Sequence, residues 1–372
     1  MKFTCLKENL LKGLTIVTPI SRKASHLPIL NNIQIITEVG GIRLVATNLE
    51  IALRCLVRAK VEQEGNFTFP AKLLLDFVSS LSEDKIECEL QDQSLKIIAG
   101  DFKGSIKCMA PEEFPLIPKV SKNFSVKINR ASGEEAISRV IFAAAKNDPR
   151  QELNGVFVSL HEEKATLAAT DSFRLAEVKL PLEGRSSGEP KEIIIPGRTM
   201  DELMRVLHEE EAKESQSFTF SLDETQALFE VGGVEIISRL VDGKYPDYQQ
   251  IIPAKFSTTA RVSREKLITT IKTVSLFSHT GLHEITMKLE PQESAILCSA
   301  KSDQLGEGAG EVGAELQGDS QQAVFNHHYL LDGLHAFKSE EIELSLVDGN
   351  SPAIIKSQGD QTYLYLVMPI KQ

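Results

Sequence analysis

The chain has 372 residues, 42% of them hydrophobic, and a formal charge of −11. That is enough apolar material for two or three domains with their own cores, and with no stretch of about 18 apolar residues a helical membrane span is excluded. The acidic total excludes a protein that holds nucleic acid by overall charge, since neutralising phosphates takes a basic surface, although a locally basic face remains compatible with it.

The opening MKFTCLKENLL has neither an apolar signal core nor a small-residue cleavage site, so a cytoplasmic protein is expected. A strand, KFTC (2–5), leads into an amphipathic helix with Leu6, Leu10, Leu14 and Val17 on one face. Three strands follow, NIQIIT, IRLVA and EIALRCLVRA, separated by turn residues at Gly40-Gly41 and Thr47-Asn48. The same order comes again at once: NFTF, the helix PAKLLLDFVSSL, then KIECEL, SLKIIA and KGSIKCM. A proline-rich connector, CMAPEEFPLIP (108–118), closes this first doubled unit.

Beyond it the order restarts. FSVKI, the helix ASGEEAISRVIFAAA and the strands GVFVSL, KATLAA and FRLAEVKL form one half. EIIIP, the helix RTMDELMRVLHEEEAK and SFTFSL, QALFEV and VEIISRL form the other. A second connector, RLVDGKYPDYQQIIP (239–253), carries apolar anchors at Leu240, Val241, Tyr245, Tyr248, Ile251 and Ile252. Prolines at 246 and 253 keep it out of helix and sheet, so it reads as an ordered strap between domains. The third copy runs through TTARV, a helix opened by Ser263 with Lys266 in the place of a capping partner, then EITMKLE, SAILCSA and GAGEVGAEL. It ends with QAVFN, the helix HHYLLDGLHAF, EIELSLV, AIIKS and TYLYLVM. First helices start near 7, 131 and 263, and second helices near 71, 198 and 327. The fold class is therefore α+β: three repeated domains, 1–120, 121–253 and 254–372, each a doubled strand–helix–three-strand unit with helices on one face and strands on the other. Charge is uneven along them, with 15 basic against 14 acidic residues, then 16 against 23, then 10 against 15.

Catalytic punctuation is missing. No phosphate-binding loop, nucleophile elbow or zinc-protease motif occurs. GEGAGE (306–311) lacks the lysine and following helix of a phosphate cradle and reads as an acidic loop. His327 and His328 offer two imidazoles, but adjacent helical residues diverge and no partner stands at useful spacing, so neither a metal nor a cofactor is expected. Asp171 and Arg174 read as a structural turn closed by an ion pair. The five dispersed cysteines read as reduced, partly buried thiols. The HEEEAKE run (208–214) reads as a solvated helix end. The helices carry basic residues off their apolar stripe, at Lys7, Lys12, Lys72, Arg139, Lys146, Arg198, Arg205, Arg264, Lys266 and Lys272, and loops add Arg22, Lys23 and Arg150. If the helices of all repeats share a surface, these make a basic track that holds a phosphate backbone without reading bases. Open sheet edges at both ends of such a chain call for pairing, and a head-to-tail homodimer supplies it. The candidate contacts are the strand with Lys103 and Ile106 on one chain and Leu276 and Phe277 on the other.

MKFTCLKENLLKGL, HLPIL (26–30), LNGV (153–156), TDSFRLA (170–176), RLVDGKYPDY and a terminal VMP resemble, in order and over the whole chain, the bacterial DNA polymerase sliding clamps. The resemblance implies a homodimeric ring around double-stranded DNA, helices lining the hole and sheets outside, acting as a processivity factor without chemistry of its own. Lys12, Arg22, Lys23, Lys72, Lys146, Arg150 and Arg198 then face DNA. It also implies a peptide pocket between the second and third domains. Matched position by position, its walls are Leu153, Thr170, Arg174, Leu175, Pro246, Ile251, Asn326, Tyr329, Leu366, Met368, Pro369 and Ile370. The implied partners are the replicative polymerase catalytic subunit, the clamp loader and other proteins that carry a short clamp-binding peptide, and no membrane. Gln250 stands where several relatives carry arginine. The residues alone leave two other classes open, an enzyme on a repeated scaffold and a monomeric peptide-binding scaffold not acting on DNA.

Overall fold

The computed structural model describes residues 1–21, 27–122, 124–183, 190–209, 215–278 and 281–371. Within them the α-helices are α1 (Lys7–Ser21), α2 (Ala71–Ser80), α3 (Arg130–Val140), α4 (Gly197–Leu207), α5 (Arg264–Val274) and α6 (His327–His335). Each starts within one residue of its expected place. Leu10, Leu14 and Val17 bury the core face of α1. Leu6 does not join them, because it ends the strand Lys2–Leu6 and is 53% exposed. Helices α3 and α5 are shorter than predicted and tighten into 3₁₀ turns at Ile141–Ala143 and Ser275–Phe277. Ser263 stands at the start of α5 without a side-chain cap, so the expected Ser263–Lys266 pairing is not made.

Among the described residues the strands form three antiparallel sheets. One strand, Lys60–Gln63, escaped sequence reading because Val61 is its only apolar residue. GEGAGE is not a loop but the start of a 13-residue strand, Gly306–Gly318. Its glycines are a packing device: a Cβ on Gly308 would lie 2.3 Å from the Phe277 ring. Pairing also crosses the repeats. Val234–Arg239 pairs with Ile51–Arg58, and Arg174–Pro181 pairs with Asp360–Val367. Contacts accordingly group the chain into two units, residues 1–131, 183–188 and 201–240 against 132–182, 189–200 and 241–372.

The first unit holds the five-stranded sheet, ordered Lys60–Gln63, Lys2–Leu6, Lys85–Gln91, Ser94–Ala99, Phe102–Lys107, and an eight-stranded one. Its connector is ordered as expected. Phe114 packs with Ile29, Leu30 and Val45, and Ile117 reaches from that cluster to Ala52, Leu228 and Ile237. Glu235 takes Arg43 and Arg54 at 3.2 and 3.3 Å, fastening the strand pairing where the repeats merge.

The second unit holds a twelve-stranded sheet. In it Arg139 departs from its predicted exposed position. Only 7% of the residue is accessible, and its guanidinium lies 4.9 Å from the Tyr363 ring centroid, 3.0 Å from Asp360 Oδ2 and 3.2 Å from the Ala336 carbonyl. The carboxylate that claims it lies far along the chain, which no helical periodicity reveals. No helix among the described residues is long and apolar enough to cross a membrane.

Candidate functional site

The expected pocket residues fall in the second unit, with Arg174, Leu175 and Leu366 on the join between Arg174–Pro181 and Asp360–Val367. Register sets Leu175 opposite Leu366 and Arg174 opposite Val367. Leu175 and Leu366 form an apolar floor with Ala168, Ile194, Ile354, Tyr245 and Tyr248, and Met368, Val241 and Ile252 pack against it. The connector supplies the two tyrosines, held on Phe157: Tyr245 stacks on it at 5.2 Å and Tyr248 meets it edge-on at 6.1 Å, ring to ring. Tyr248 donates to Glu177 Oε2 at 2.7 Å, and burial first, then that carboxylate, raises its pKa. Between these anchors Pro246 is exposed, and Ile251 is 46% exposed. A stiff apolar wall with exposed edges loses little entropy when a ligand docks.

The rim is built by the turn 170–174. Asp171 Oδ1 accepts from the amides of Phe173 and Arg174, both at 3.0 Å, and Thr170 Oγ1 donates to the Arg174 carbonyl at 2.6 Å. Asp171 Oδ2 also takes Arg174 Nε at 2.9 Å, so this pair is the structural turn that the sequence suggests. The other end of the guanidinium donates to Asp332 at 2.6 Å and lies 4.6 Å over the Tyr329 ring. Burial opposes its charge, yet the Tyr365 hydroxyl and the two carboxylates raise the Arg174 pKa above its ordinary value. Phe173, 59% exposed, stacks on Tyr329 at 6.4 Å. Sequence reading missed Phe173 and Asp332, although Phe173 sits inside TDSFRLA. The tail is tied down by Met368 N–H to the Phe173 carbonyl at 2.8 Å and Ile370 N–H to the Val324 carbonyl at 2.7 Å. Pro369 between them is buried. Tyr329 takes the Tyr365 hydroxyl on its carbonyl at 2.8 Å, where Gly333 leaves room for the Tyr365 ring. Leu153 is buried in the 3₁₀ turn Gln151–Asn154, and its carbonyl accepts from Ala145 N–H at 2.9 Å. Gln250 turns to Asp247 at 2.8 Å.

Asn326 has a second neighbourhood. Its side chain caps α6 by accepting from His328 N–H at 2.9 Å. There His327 and His328 converge with His283, a residue that no spacing rule connects to them. Burial, then His328 and His283, hold the His327 pKa down at about 4, so its imidazole is neutral at pH 7.

Of the basic residues expected at DNA, Lys12 and Lys72 are exposed on α1 and α2, and Lys146, Arg150 and Arg198 are exposed in the second unit. Arg22 and Lys23 lie outside the described residues. Lys12 meets Glu8 at 2.7 Å, and Arg150 meets Asp148 at 3.0 Å and donates to Ser172. Arg139, Arg205 and Arg264 leave the basic set. Arg205 donates to the Ile16 carbonyl at 2.6 Å and Arg264 to the Ser339 carbonyl at 2.9 Å, so both are internal tethers.

Among the unpaired strand edges of the described residues, two carry opposite charge. Phe102–Lys107 ends the five-stranded sheet. On Gly306–Gly318, residues 306–313 pair with Ala295–Ser302 on one side, while the other side is paired only at 314–318, with Thr258–Ser263. Alternation gives each edge two faces. Lys103, Ser105 and Lys107 are exposed on the first, while Gly104 lies under Phe77 and Ile106 is 4% exposed. Glu307, Ala309 and Glu311 are exposed on the second, while Gly308 lies under Phe277 and Gly310 under Thr270. Ile106 thus offers backbone rather than side chain at this edge. Leu276, beside Phe277, is 71% exposed.

Doubled strand–helix–strand units merged by cross-repeat pairing, with an apolar floor under an arginine and aromatic rim, define a protein of the sliding-clamp fold. The chain belongs to the DNA polymerase III beta subunit family: its N-terminal, central and C-terminal domain models match residues 1–118, 127–247 and 249–371. A beta sliding clamp of Synechocystis sp. is 31% identical over all of this chain and 99% of its own length. One of Staphylococcus aureus is 27% identical over the same shares. The DNA polymerase sliding clamp of Bacillus subtilis superposes with a TM-score of 0.95 at 25% identity, covering 100% of this chain and 99% of that one. A DNA polymerase III beta subunit from Thermotoga maritima gives 0.91 at 30% identity over the same shares.

Proposed function

We propose that this protein is a DNA replication processivity factor: a head-to-tail homodimer that closes around duplex DNA, slides in the cytoplasm and tethers the replicative polymerase. Full-length membership of the beta-subunit family supports the role, and the pair of complementary strand edges carries the assembly. Each chain owns one basic edge, Lys103 and Lys107, and one acidic edge, Glu307 and Glu311. If Phe102–Lys107 of one chain continues the sheet of the next along residues 306–313, lysines and glutamates share the outer face. Phe77 of one chain and Leu276 with Phe277 of the other then share the inner face. Two copies make two such junctions and leave neither edge open. The three repeats, 1–120, 121–253 and 254–372, supply six similar segments to the ring.

The tether is the pocket. A short linear peptide with a glutamine and spaced aliphatic or aromatic residues fits an apolar floor of Leu175, Leu366 and Met368. Arg174, Tyr329 and Asn326 supply the polar rim, and Pro246, Ile251, Pro369 and Ile370 the remaining wall, beside Leu153 and Thr170. The polymerase catalytic subunit and the clamp loader present such peptides. Tethering raises the effective concentration of the enzyme at the primer end, so no chemistry is asked of the clamp itself. DNA contact at Lys12, Arg22, Lys23, Lys72, Lys146, Arg150 and Arg198 is weak and salt-screened, and topology holds the ring. Two measurements test the reading: mass in solution, expected at twice the chain's 41.1 kDa, and titration of a labelled partner peptide. A monomer that binds the peptide would leave only a scaffold.

A further inference from the structure

The imidazole cluster at the start of α6 is not used by the tether or by the ring. His283 precedes the strand Glu284–Glu290, whose register sets Glu284 opposite Asn326. It holds a left-handed φ of 53°, and its carbonyl accepts from His327 N–H at 2.9 Å. Adjacent residues diverge by about 100° inside a helix of 3.6 residues per turn. His327 and His328 are the first two residues of α6, after Asn326 at φ −71° and ψ 118°, and their rings nonetheless meet. Their ring centroids are 4.2 Å apart, and the His283 ring lies 4.6 Å from His328 and 5.5 Å from His327.

One ring nitrogen from each histidine lies within 4.8 Å of the others. The three are graded in depth, His327 only 8% exposed, His283 intermediate and His328 exposed, so the cluster opens to solvent on one side. His327 Nδ1 is buried without a hydrogen-bond partner. Leaving such an atom unmet is costly, and coordination to a metal ion would relieve it. Metal–imidazole bonds of about 2.0–2.1 Å put tetrahedral ligand nitrogens roughly 3.4 Å apart, so the three ring nitrogens, already within 4.8 Å, need to close by little more than an ångström on an ion. With no carboxylate in the set, Mg²⁺ and Ca²⁺ are disfavoured, and with no thiolate so is Cu(I).

We propose that His283, His327 and His328 form a three-histidine site, open to solvent, for a borderline divalent transition metal, with Zn²⁺ as its ion and water completing the shell. Bound metal pins the edge of the strand Glu284–Glu290 to the first turn of α6. The site stands apart from the peptide reading, since none of its ligands belongs to the pocket set.

The test uses the untagged full chain, stripped with chelator. Zn²⁺ is titrated against a chromophoric chelator, and Co²⁺ is read by its visible bands. One equivalent per chain is expected, with Co²⁺ bands of four- or five-coordinate intensity. At a Zn²⁺ concentration near the wild-type dissociation constant, Zn²⁺ should raise the melting temperature of the wild type clearly more than that of His328→Ala. His328→Ala and His283→Ala should each weaken Zn²⁺ by about tenfold or more, in line with the 10–100-fold cost of disturbing even outer-shell partners. His335→Ala, on the last turn of α6, should change nothing. His328 is exposed, so its variant keeps the fold and isolates the ligand effect. Absence of a stoichiometric site in the wild type, or unchanged affinity in both ligand variants, would overturn the proposal.

Discussion

Reversing one charged edge tests the assembly and nothing else. In Lys103→Glu/Lys107→Glu both substituted side chains are exposed on an edge strand, so the fold of the isolated chain is spared. A cross-strand pair of opposite charges contributes about 0.2–1 kcal/mol, and like charges cost a similar amount. Taking about 0.5 for each, reversal swings a pair by about 1 kcal/mol, a junction of two pairs by about 2, and a dimer of two junctions by about 4. At 1.4 kcal/mol per decade that is roughly a thousandfold in the dimer dissociation constant. Glu307→Lys/Glu311→Lys should do the same alone. The fourfold variant, with both edges reversed, should recover the wild-type constant to within about tenfold. Sedimentation velocity over a dilution series measures this, with loss of energy transfer between differently labelled chains giving the dissociation rate. Added salt should narrow the gap between wild type and either reversed edge. Folded double variants that dissociate like the wild type, or a fourfold variant that stays monomeric, would refute the edge pairing.

If the pocket lies as proposed, Met368→Ala should weaken a labelled partner peptide by about 1–2 kcal/mol in a fluorescence anisotropy titration, with the dimer intact, because Met368 packs on the apolar cluster of Leu175 and Leu366. Unaltered affinity would mean that the pocket is misplaced. Arg139→Ala should destabilise the fold by about 3 kcal/mol in urea, the low end for a broken buried pair because Asp360 and Glu135 keep some contact with water. An unchanged midpoint would show that the tether is slack. Burial pushes the Cys5 and Cys298 thiols up from 9.0 to about 12, so each forms thiolate about a thousandfold less readily than when unfolded. At pH 8 a thiol reagent should label Cys108, the one cysteine not buried, ahead of the rest, and denaturant should release all five. Fast native labelling of all five would contradict the packing.

The repeat was legible because each half alternates a period-two strand with a helical stripe, and the turns between them are marked by glycine, asparagine and proline. The connector at 239–253 was legible for a related reason: prolines forbid regular structure, while tyrosines and aliphatics demand burial. What escaped depends on partners distant in the chain. Arg139 looks like any exposed helix cation until Asp360 and Tyr363 arrive from a strand two hundred residues on. Glycines at 308 and 310 blur the strand GAGEVGAEL into a loop reading until Phe277 and Thr270 cover them. His283 has no spacing to His327 that a sequence rule recognises, because a sheet register brings them together. Leu6 shows the local limit: its spacing matches the apolar stripe of α1, but the helix begins one residue later and Leu6 ends a strand, exposed. The pocket residues came from family resemblance, and of these the floor residues Leu175, Leu366 and Met368 gather in one cluster.

Retention by topology rather than by affinity is open to one direct measurement. The protein is loaded on a nicked circular duplex with its clamp loader and passed through gel filtration in high salt, before and after the circle is cut. It should co-elute with the intact circle and leave the linear molecule by sliding off the ends. Equal loss from circle and linear DNA, or equal retention on both, would contradict a closed ring.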